Sequence, residues 1–181
     1  MAVDRVALED LVTVLYRVQM RYWQARFGRV RDMELGPPAT EGELVQLEQL
    51  LGGPIPESYR AFLELHNGWK NFSGDAHIIS IADRQSQHTG GSIEAFKRLG
   101  VEEGDDAIKH AFVVVGSDAS QYLAFFDMKS AHNGEMDVVE WTYERGEIAR
   151  HPDFARYLQH QLRAVESLLA EEENRPPRLE T

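Results

Sequence analysis

Apolar positions recur with two different periods along the chain, and the change of period separates a helical first part from a strand-rich second part. In residues 4–27 they recur every three or four positions, which predicts one long helix that Gly28 ends. Its apolar residues form two stripes: Leu8, Leu11, Leu15, Val18 and Tyr22, and Val12, Tyr16, Trp23 and Phe27. We expect this helix to lie deep in its own domain; the alternative is that one stripe contacts another chain.

Two shorter helices are predicted between residues 40 and 68. Thr40 and Glu43 have the spacing of a capping box, in which each residue satisfies a free backbone donor at a helix start. Pro56 suits the start of the next helix, because the first turn has no intrahelical partner for its missing N–H. Asn67-Gly68 is typical of a left-handed stop.

The second part of the chain is typical of an antiparallel sheet. A short strand is predicted at residues 78–81, then a loop, a weak helix at residues 92–99 and an acidic turn at residues 102–106. Further strands are predicted at residues 112–115, 122–127, 137–143 and 147–149, with a turn at Asn133-Gly134. A last helix opens near Pro152-Asp153. Helices, then a run of strands, then a helix indicate an α+β fold with a mostly antiparallel sheet.

Composition narrows the class of protein. The chain has 181 residues, 43% of them hydrophobic, and no cysteine, which excludes disulfides and thiolate metal sites. No signal-peptide core or membrane-spanning run is recognised, so a cytoplasmic location is expected. We predict a helical extension packed on the core at residues 1–36, a domain at residues 37–170 and a disordered tail at residues 171–181.

A family resemblance is carried by residues 37–69. This stretch contains LGGPIPESYRAFLELHNGW at residues 51–69: a helix that ends before an Ile-Pro step, a helix with Tyr and Phe, and an Asn-Gly-Trp stop. A strand leading to Gly116-Ser117-Asp118, the run Val138-Val139-Glu140-Trp141 and a final helix from Asp153-Phe154 follow in the same order. Together, over residues 37–163, these features resemble the SMI1/KNR4 (SUKH) superfamily. Ala119-Ser120-Gln121 departs from the glycines that often follow the Ser-Asp step.

The resemblance implies an α+β fold in which a mixed, largely antiparallel sheet is flanked by helices, without catalytic apparatus. Bacterial members are regarded as immunity proteins that bind and neutralise polymorphic toxins, many of them nucleases or deaminases. Fungal relatives act as scaffolding or regulatory proteins. An immunity protein is therefore the first function hypothesis, and a scaffolding module that acts through the N-terminal helix is the second.

The sequence offers no local catalytic motif, so we predict no catalytic residues, no cofactor and no metal ligands. The histidines are scattered, and His151 and His160 are nine residues apart, the wrong spacing for one helix face. Asp118 and Asp127 adjoin predicted strands, where carboxylates commonly cap turns. A hydrolase assembled from these two residues and a histidine is the third hypothesis, and only the residue types support it.

The net charge of −11 favours a basic partner, a toxin domain in the first hypothesis, and disfavours nucleic acid and anionic membranes. The alternative is that acidity only keeps the protein soluble. The predicted partner surface combines aromatic anchors with carboxylates: Trp69, Phe72, Glu102, Glu103, Asp105, Asp106, Asp118, Glu135, Asp137 and Glu140. Trp69 could instead cover a helix end, and Trp141 could be core. Either a monomer or a homodimer fits the two-sided first helix.

Overall fold

The computed structural model describes residues 4–29, 31–116 and 122–175, in which helices surround one antiparallel sheet. The helices are α1 (Arg5–Phe27), α2 (Glu41–Leu51), α3 (Glu57–Leu63), α4 (Ile81–Arg84), α5 (Gln87–Glu103), α6 (Asp106–Lys109) and α7 (Phe154–Glu173). The strands are β1 (Glu34–Leu35), β2 (Trp69–Ser73), β3 (Ala76–Ile78), β4 (Ala111–Gly116), β5 (Tyr122–Asp127), β6 (Val138–Thr142) and β7 (Gly146–His151). The predicted α+β class is confirmed.

The seven strands of the described chain pair in sequence order, and each neighbouring pair is antiparallel. The β5–β6 register places Tyr122 opposite Thr142 and Ala124 opposite Glu140. Because side chains alternate along a strand, Tyr122 and Glu140 project from the same face of the sheet. The sequence prediction of a largely antiparallel sheet therefore agrees with the structure.

Helices cover both faces of the sheet, which makes its central strands apolar on both sides. Along β5, Ala124 and Phe126 belong to a core shared with α1, α2, α3 and α7. Leu123 and Phe125 belong to a second core, which α5 and α6 close with Phe96 and Ile108. We call these two sides of the sheet the α7 face and the α5 face.

Local capping signals fix the first helices. The Asp4 carboxylate accepts hydrogen bonds from two backbone N–H groups at the start of α1, and Gly28 ends the helix with φ 66°. Thr40 and Glu43 form the predicted capping box of α2. Leu8, Val12 and Leu15 of α1 are buried in the core of the α7 face, whereas Phe27 remains 48% exposed. The division of the chain into an extension and a domain stays a prediction.

The region between α3 and α5 differs from the sequence prediction. Strand β2 was not predicted, because a bulge between Trp69 and Ser73 spaces its buried residues by three instead of two. The strand predicted at residues 78–81 lies earlier, at Ala76–Ile78, so the prediction shares only Ile78 with it, and Ile81 begins α4. The predicted loop at residues 83–91 is largely helical, and α5 starts at Gln87, ahead of the predicted helix.

The last helix runs further than predicted. α7 continues to Glu173, so the first residues assigned to a tail are helical, and residues 176–181 lie outside the described part of the chain. Arg26 and Arg21 of α1 form ion pairs with Glu172 and Glu173 at 3.0 and 2.8 Å, which join α1 to the end of α7. Among the described residues, no helix has the length and apolarity needed to cross a membrane.

Candidate functional site

An open cleft of about 900 Å³ lies on the α5 face, between the sheet and α5. Its inner wall is apolar and includes Ile79, Phe96, Val113 and Leu123, all of them core residues. Its border is polar and carries the side chains of Ser80, Asp83, Ser86, Thr89 and Ser92. A cleft with an apolar centre and a polar border has the composition of a protein-binding interface.

Tyr143 stands at the border of this cleft with 49% of its surface exposed. Its ring packs edge-on against the ring of Trp141, with 4.8 Å between the ring centroids, and Trp141 packs in the same way against Phe96, with 5.1 Å between the centroids. This packing holds an exposed tyrosine in one position, which lowers the conformational entropy lost when a partner binds. Tyr143 was not among the predicted binding residues, because it lies at a strand end, where the sequence pattern does not indicate exposure.

The two predicted aromatic anchors lie in the core. Trp69 and Phe72 are each 1% exposed and pack edge-on at 5.1 Å, and Trp69 also contacts Tyr16 of α1. They are buried because β2 is an interior strand and α1 covers it. Trp69 borders the cleft but offers almost no surface there. Trp141, at 3% exposure, is core as well, which was the alternative interpretation of this residue.

The predicted acidic residues on α5, α6 and the β5–β6 connection gather at one end of the sheet, because β4 starts where β5 ends and β6 begins. Glu102 is exposed on the last turn of α5. Asp105 accepts a hydrogen bond from the backbone N–H of Ile108 at 3.2 Å. Glu103 and Asp106 lie in the last turn of α5 and the first turn of α6, and the structure does not describe their side chains. Asp118 lies outside the described residues.

Arg150 of β7 forms ion pairs with three carboxylates at this end of the sheet. It pairs with Asp127 at 2.9 Å, Asp137 at 3.1 Å and Glu147 at 2.9 Å. These contacts raise the pKa of Arg150 above its usual value; the hydrogen bonds to Glu147 contribute most, and burial opposes them. One cation among three carboxylates leaves a local excess of negative charge. Asp127 also accepts the backbone N–H of Lys129, in agreement with turn capping.

Glu135 is tied to the start of α3. Its carboxylate accepts hydrogen bonds from the backbone N–H and the hydroxyl of Ser58, both at 2.8 Å. Burial raises the pKa of Glu135 above its usual value, and the charges of Asp153 and Glu57 add to this against the opposing Ser58 hydrogen bonds. The role of Glu135 visible in the structure is to hold the β5–β6 connection on α3.

Glu140 is 4% exposed and lies on the α7 face, at the centre of a polar cluster that sequence analysis did not predict. Its Oε1 atom is 2.6 Å from Nε2 of His151 and 3.6 Å from Nε2 of His160. Its Oε2 atom accepts hydrogen bonds from the Tyr122 hydroxyl at 2.8 Å and from Nε2 of Gln161 at 3.1 Å. We call these five residues the Glu140 cluster.

Electrostatics within the cluster favour an ionised carboxylate. Burial opposes ionisation of Glu140, but hydrogen bonds from His151 and Tyr122 outweigh it and lower the pKa of this carboxyl below its usual value. Burial and the neighbouring Tyr157 and Glu140 raise the pKa of Tyr122 well above its usual value. The tyrosine therefore stays protonated and donates to the carboxylate.

The cluster contains the residues within the described chain whose side chains could hold a metal ion. The ligand atoms of Glu140, His151 and His160 all lie within 4.8 Å of one another. His151 and His160 come together although they do not share a helix face, because His151 ends β7 and only His160 belongs to α7. The sequence contains one signal of this cluster: the spacing of Tyr157, His160 and Gln161 places these polar side chains on one side of a helix.

An antiparallel sheet covered by helices on both faces, with an open cleft on one face, defines an α+β domain. The model of the SMI1 / KNR4 family (SUKH-1) matches residues 38–160. This match spans more than half of the chain, so the protein belongs to the SMI1/KNR4 family, as its sequence resemblance predicted. A comparison with curated proteins finds no match.

Proposed function

We propose that the protein is a non-catalytic protein-binding module, an immunity protein that neutralises a polymorphic toxin domain by stoichiometric binding. The observation that carries this proposal is the cleft on the α5 face, with its apolar wall, its hydroxyl-bearing border and the exposed ring of Tyr143. Membership of the SMI1/KNR4 family supports the proposal, because toxin immunity is the role that the sequence resemblance implies for bacterial members.

Acidic residues have a separate part in this proposal. Glu102 and the carboxylates around Arg150 lie at the opposite end of strands β4 to β6 from the cleft residues Gly116, Leu123 and Tyr143. At that distance they act on the rate of encounter with a basic toxin domain, such as a nuclease, while the cleft makes the close contacts.

The first experiment identifies the partner. Full-length tagged protein is used to capture proteins from the source cells, and the captured toxin domain is then produced separately and tested for inhibition at increasing ratios. Complete inhibition at one molecule of this protein per toxin domain is the expected result. Capture of several unrelated regulatory proteins, none of them inhibited, would contradict the immunity role.

The second experiment locates the binding surface by kinetics. Tyr143→Ala is expected to weaken the complex about 30-fold, mainly through faster dissociation, because truncating an aromatic residue that anchors an interface commonly costs about 2 kcal/mol. Phe27→Ala is the matched control, since Phe27 is 48% exposed and lies on α1, away from the cleft. An unchanged dissociation rate for Tyr143→Ala would reject the cleft as the binding site.

Charge reversal separates steering from contact. Glu102→Lys together with Glu103→Lys is expected to slow association severalfold at low salt and to have little effect at high salt. Glu9→Lys together with Asp10→Lys makes the same change of charge on the exposed side of α1 and serves as the control. Equal effects of both double variants would indicate that only net charge matters.

The alternative is a scaffolding module that binds through α1, and one observation favours it. Trp23 and Phe27 stack at 4.4 Å near the end of α1, with Arg31 over the Trp23 ring at 4.3 Å, and Phe27 is half exposed. Leu8, Val12, Leu15 and Gln19 of α1 are buried, whereas this aromatic end leaves a large side chain exposed to a partner. A loss of partner binding in Phe27→Ala, with Tyr143→Ala unaffected, would select this alternative.

A further inference from the structure

Two imidazoles and a carboxylate converge in the Glu140 cluster from three separate elements. Glu140 projects from β6, His151 ends β7 and His160 lies on α7. The Nε2 atoms of both histidines point to the same oxygen, Oε1 of Glu140, at 2.6 and 3.6 Å. Two imidazole nitrogens and one carboxylate oxygen form a donor set that zinc accepts in proteins.

Two of the three distances between ligand atoms lie within about 0.7 Å of the value for a tetrahedral metal site. Zinc lies about 2.0–2.2 Å from nitrogen and oxygen ligands, so tetrahedral ligand atoms are about 3.3 Å apart. The Glu140–His160 separation of 3.6 Å already approaches this value. The Glu140–His151 separation of 2.6 Å is that of a hydrogen bond, so it would open by roughly 0.7 Å when the ion replaces the proton. The side chain of His160 is 43% exposed and can rotate into place.

Surrounding groups already orient the carboxylate. The Tyr122 hydroxyl and the Gln161 amide both donate to Oε2, which leaves Oε1 facing the two histidines. The hydroxyl of Tyr157 lies 3.1 Å from that of Tyr122 and extends the network. Hydrogen bonds of this kind fix metal ligands in their binding geometry and raise metal affinity.

Burial and access also suit an ion. The side chains of Glu140 and His151 are 5% and 11% exposed, whereas the more open His160 provides a route from solvent. The carboxylate neutralises one positive charge of a bound divalent cation in this buried position. Imidazole ligands select zinc and similar transition metals over calcium and magnesium, which prefer sites made of oxygen atoms.

We propose that Glu140, His151 and His160 form a site for a divalent transition-metal cation, zinc in particular, with one coordination position left to water. This inference is independent of the proposed immunity role. It gives the cluster a binding function on the opposite face of the sheet from the cleft.

The test uses the full-length protein, stripped of metal with a chelator and exchanged into chelator-free buffer at neutral pH. Zinc chloride is added in a calorimeter, and cobalt chloride is added in a separate spectroscopic titration. The expected results are one zinc ion per chain and the intense visible absorption of tetrahedral cobalt. The absence of zinc binding, or the weak absorption of an octahedral surface complex, would overturn the proposal.

Three variants locate the site. His160→Ala is expected to lower zinc affinity by at least about tenfold, and Tyr122→Phe by about 10–100-fold through loss of its hydrogen bond to Glu140. His132→Ala is the matched control, because His132 is 39% exposed and also lies near a carboxylate, 3.9 Å from Asp137. Unchanged binding in His160→Ala, or equal losses in His160→Ala and His132→Ala, would place the ion elsewhere and reject the site.

Discussion

Replacing Glu140 with alanine tests whether the Glu140 cluster holds the sheet to α7. The change removes the acceptor for donors on three elements: His151 on β7, Tyr122 on β5 and Gln161 on α7. Two of these donors keep a partner, because the hydroxyl of Tyr122 stays near that of Tyr157 and the Gln161 amide lies 3.4 Å from the Tyr122 oxygen. His151, at 9% exposure, loses the acceptor of its short hydrogen bond.

The expected loss follows from that count. Removing the carboxylate leaves the buried ring N–H of His151 without an acceptor, and a buried donor left unsatisfied costs about 1–3 kcal/mol. The loss corresponds to a fall in melting temperature of about 2–12 °C for a protein of this size. Glu140→Gln keeps a carbonyl oxygen as acceptor for Tyr122, so we expect it to lose clearly less stability than Glu140→Ala.

Urea unfolding in the presence of a metal chelator measures this loss without any contribution from a bound ion. The control is Glu147→Ala on the neighbouring strand, which removes a half-exposed ion pair with Arg150 and is expected to cost at most about 1 kcal/mol. If Glu140→Ala and Glu147→Ala lowered the free energy of unfolding by the same small amount, the cluster would not stabilise the fold and this reasoning would be wrong.

Three further predictions concern other parts of the fold. Gly68→Ala is expected to lower the free energy of unfolding, measured by urea titration, by about 1–3 kcal/mol, because φ of Gly68 is 95° and a Cβ would lie 2.9 Å from a neighbouring side chain. Gly53 has open space around it and no left-handed φ, so Gly53→Ala should leave the free energy of unfolding nearly unchanged. Hydrogen bonds from the backbone and hydroxyl of Thr40 lower the pKa of Glu43 in the folded protein. The ionised Glu43 carboxylate therefore stabilises the fold above the unfolded pKa of about 4.3, and this contribution is lost as pH falls through the lower folded pKa. Urea midpoints measured from pH 6 to pH 3 should fall more steeply in the wild type than in Glu43→Gln. Phe96→Ala should cost about 3–5 kcal/mol by thermal unfolding, because this ring is 2% exposed and closes the core beneath α5, and a loss under 1 kcal/mol would contradict that packing.

Helix boundaries could be predicted where the signal is local. Asp4 and Gly28 bound α1, and Thr40 with Glu43 opens α2, because each of these residues acts on backbone groups within four positions of itself. The strands from β4 onward were also predicted: β4 and β5 contain uninterrupted apolar runs, β6 contains apolar residues on both sides of one acid, and β7 follows a turn at Gly146. Strand β2 was not predicted, because Asn71, with φ 56°, lies in a bulge that breaks the two-residue period of the buried side chains.

Exposure was the part of the site that the sequence could not settle. Trp69 and Tyr143 are both aromatic residues at a strand boundary, and no local pattern distinguishes them. Trp69 is covered because α1, more than forty residues earlier in the chain, packs over β2. Tyr143 is exposed because it follows the last residue of β6, at the border of the cleft. Both outcomes depend on tertiary contacts between distant segments.

Strand β6 explains why Glu140 was misread as a surface residue. The segment Val138–Thr142 resembles a core strand with one acid on a solvated face, yet both faces of this sheet are covered by helices. Because side chains alternate along β6, Glu140 faces α7, and Trp141 faces α5 and supports Tyr143. In the proposed immunity role, a substitution at Glu140 that weakens partner binding would therefore act through the fold, whereas a substitution at Tyr143 would act through the contact surface itself.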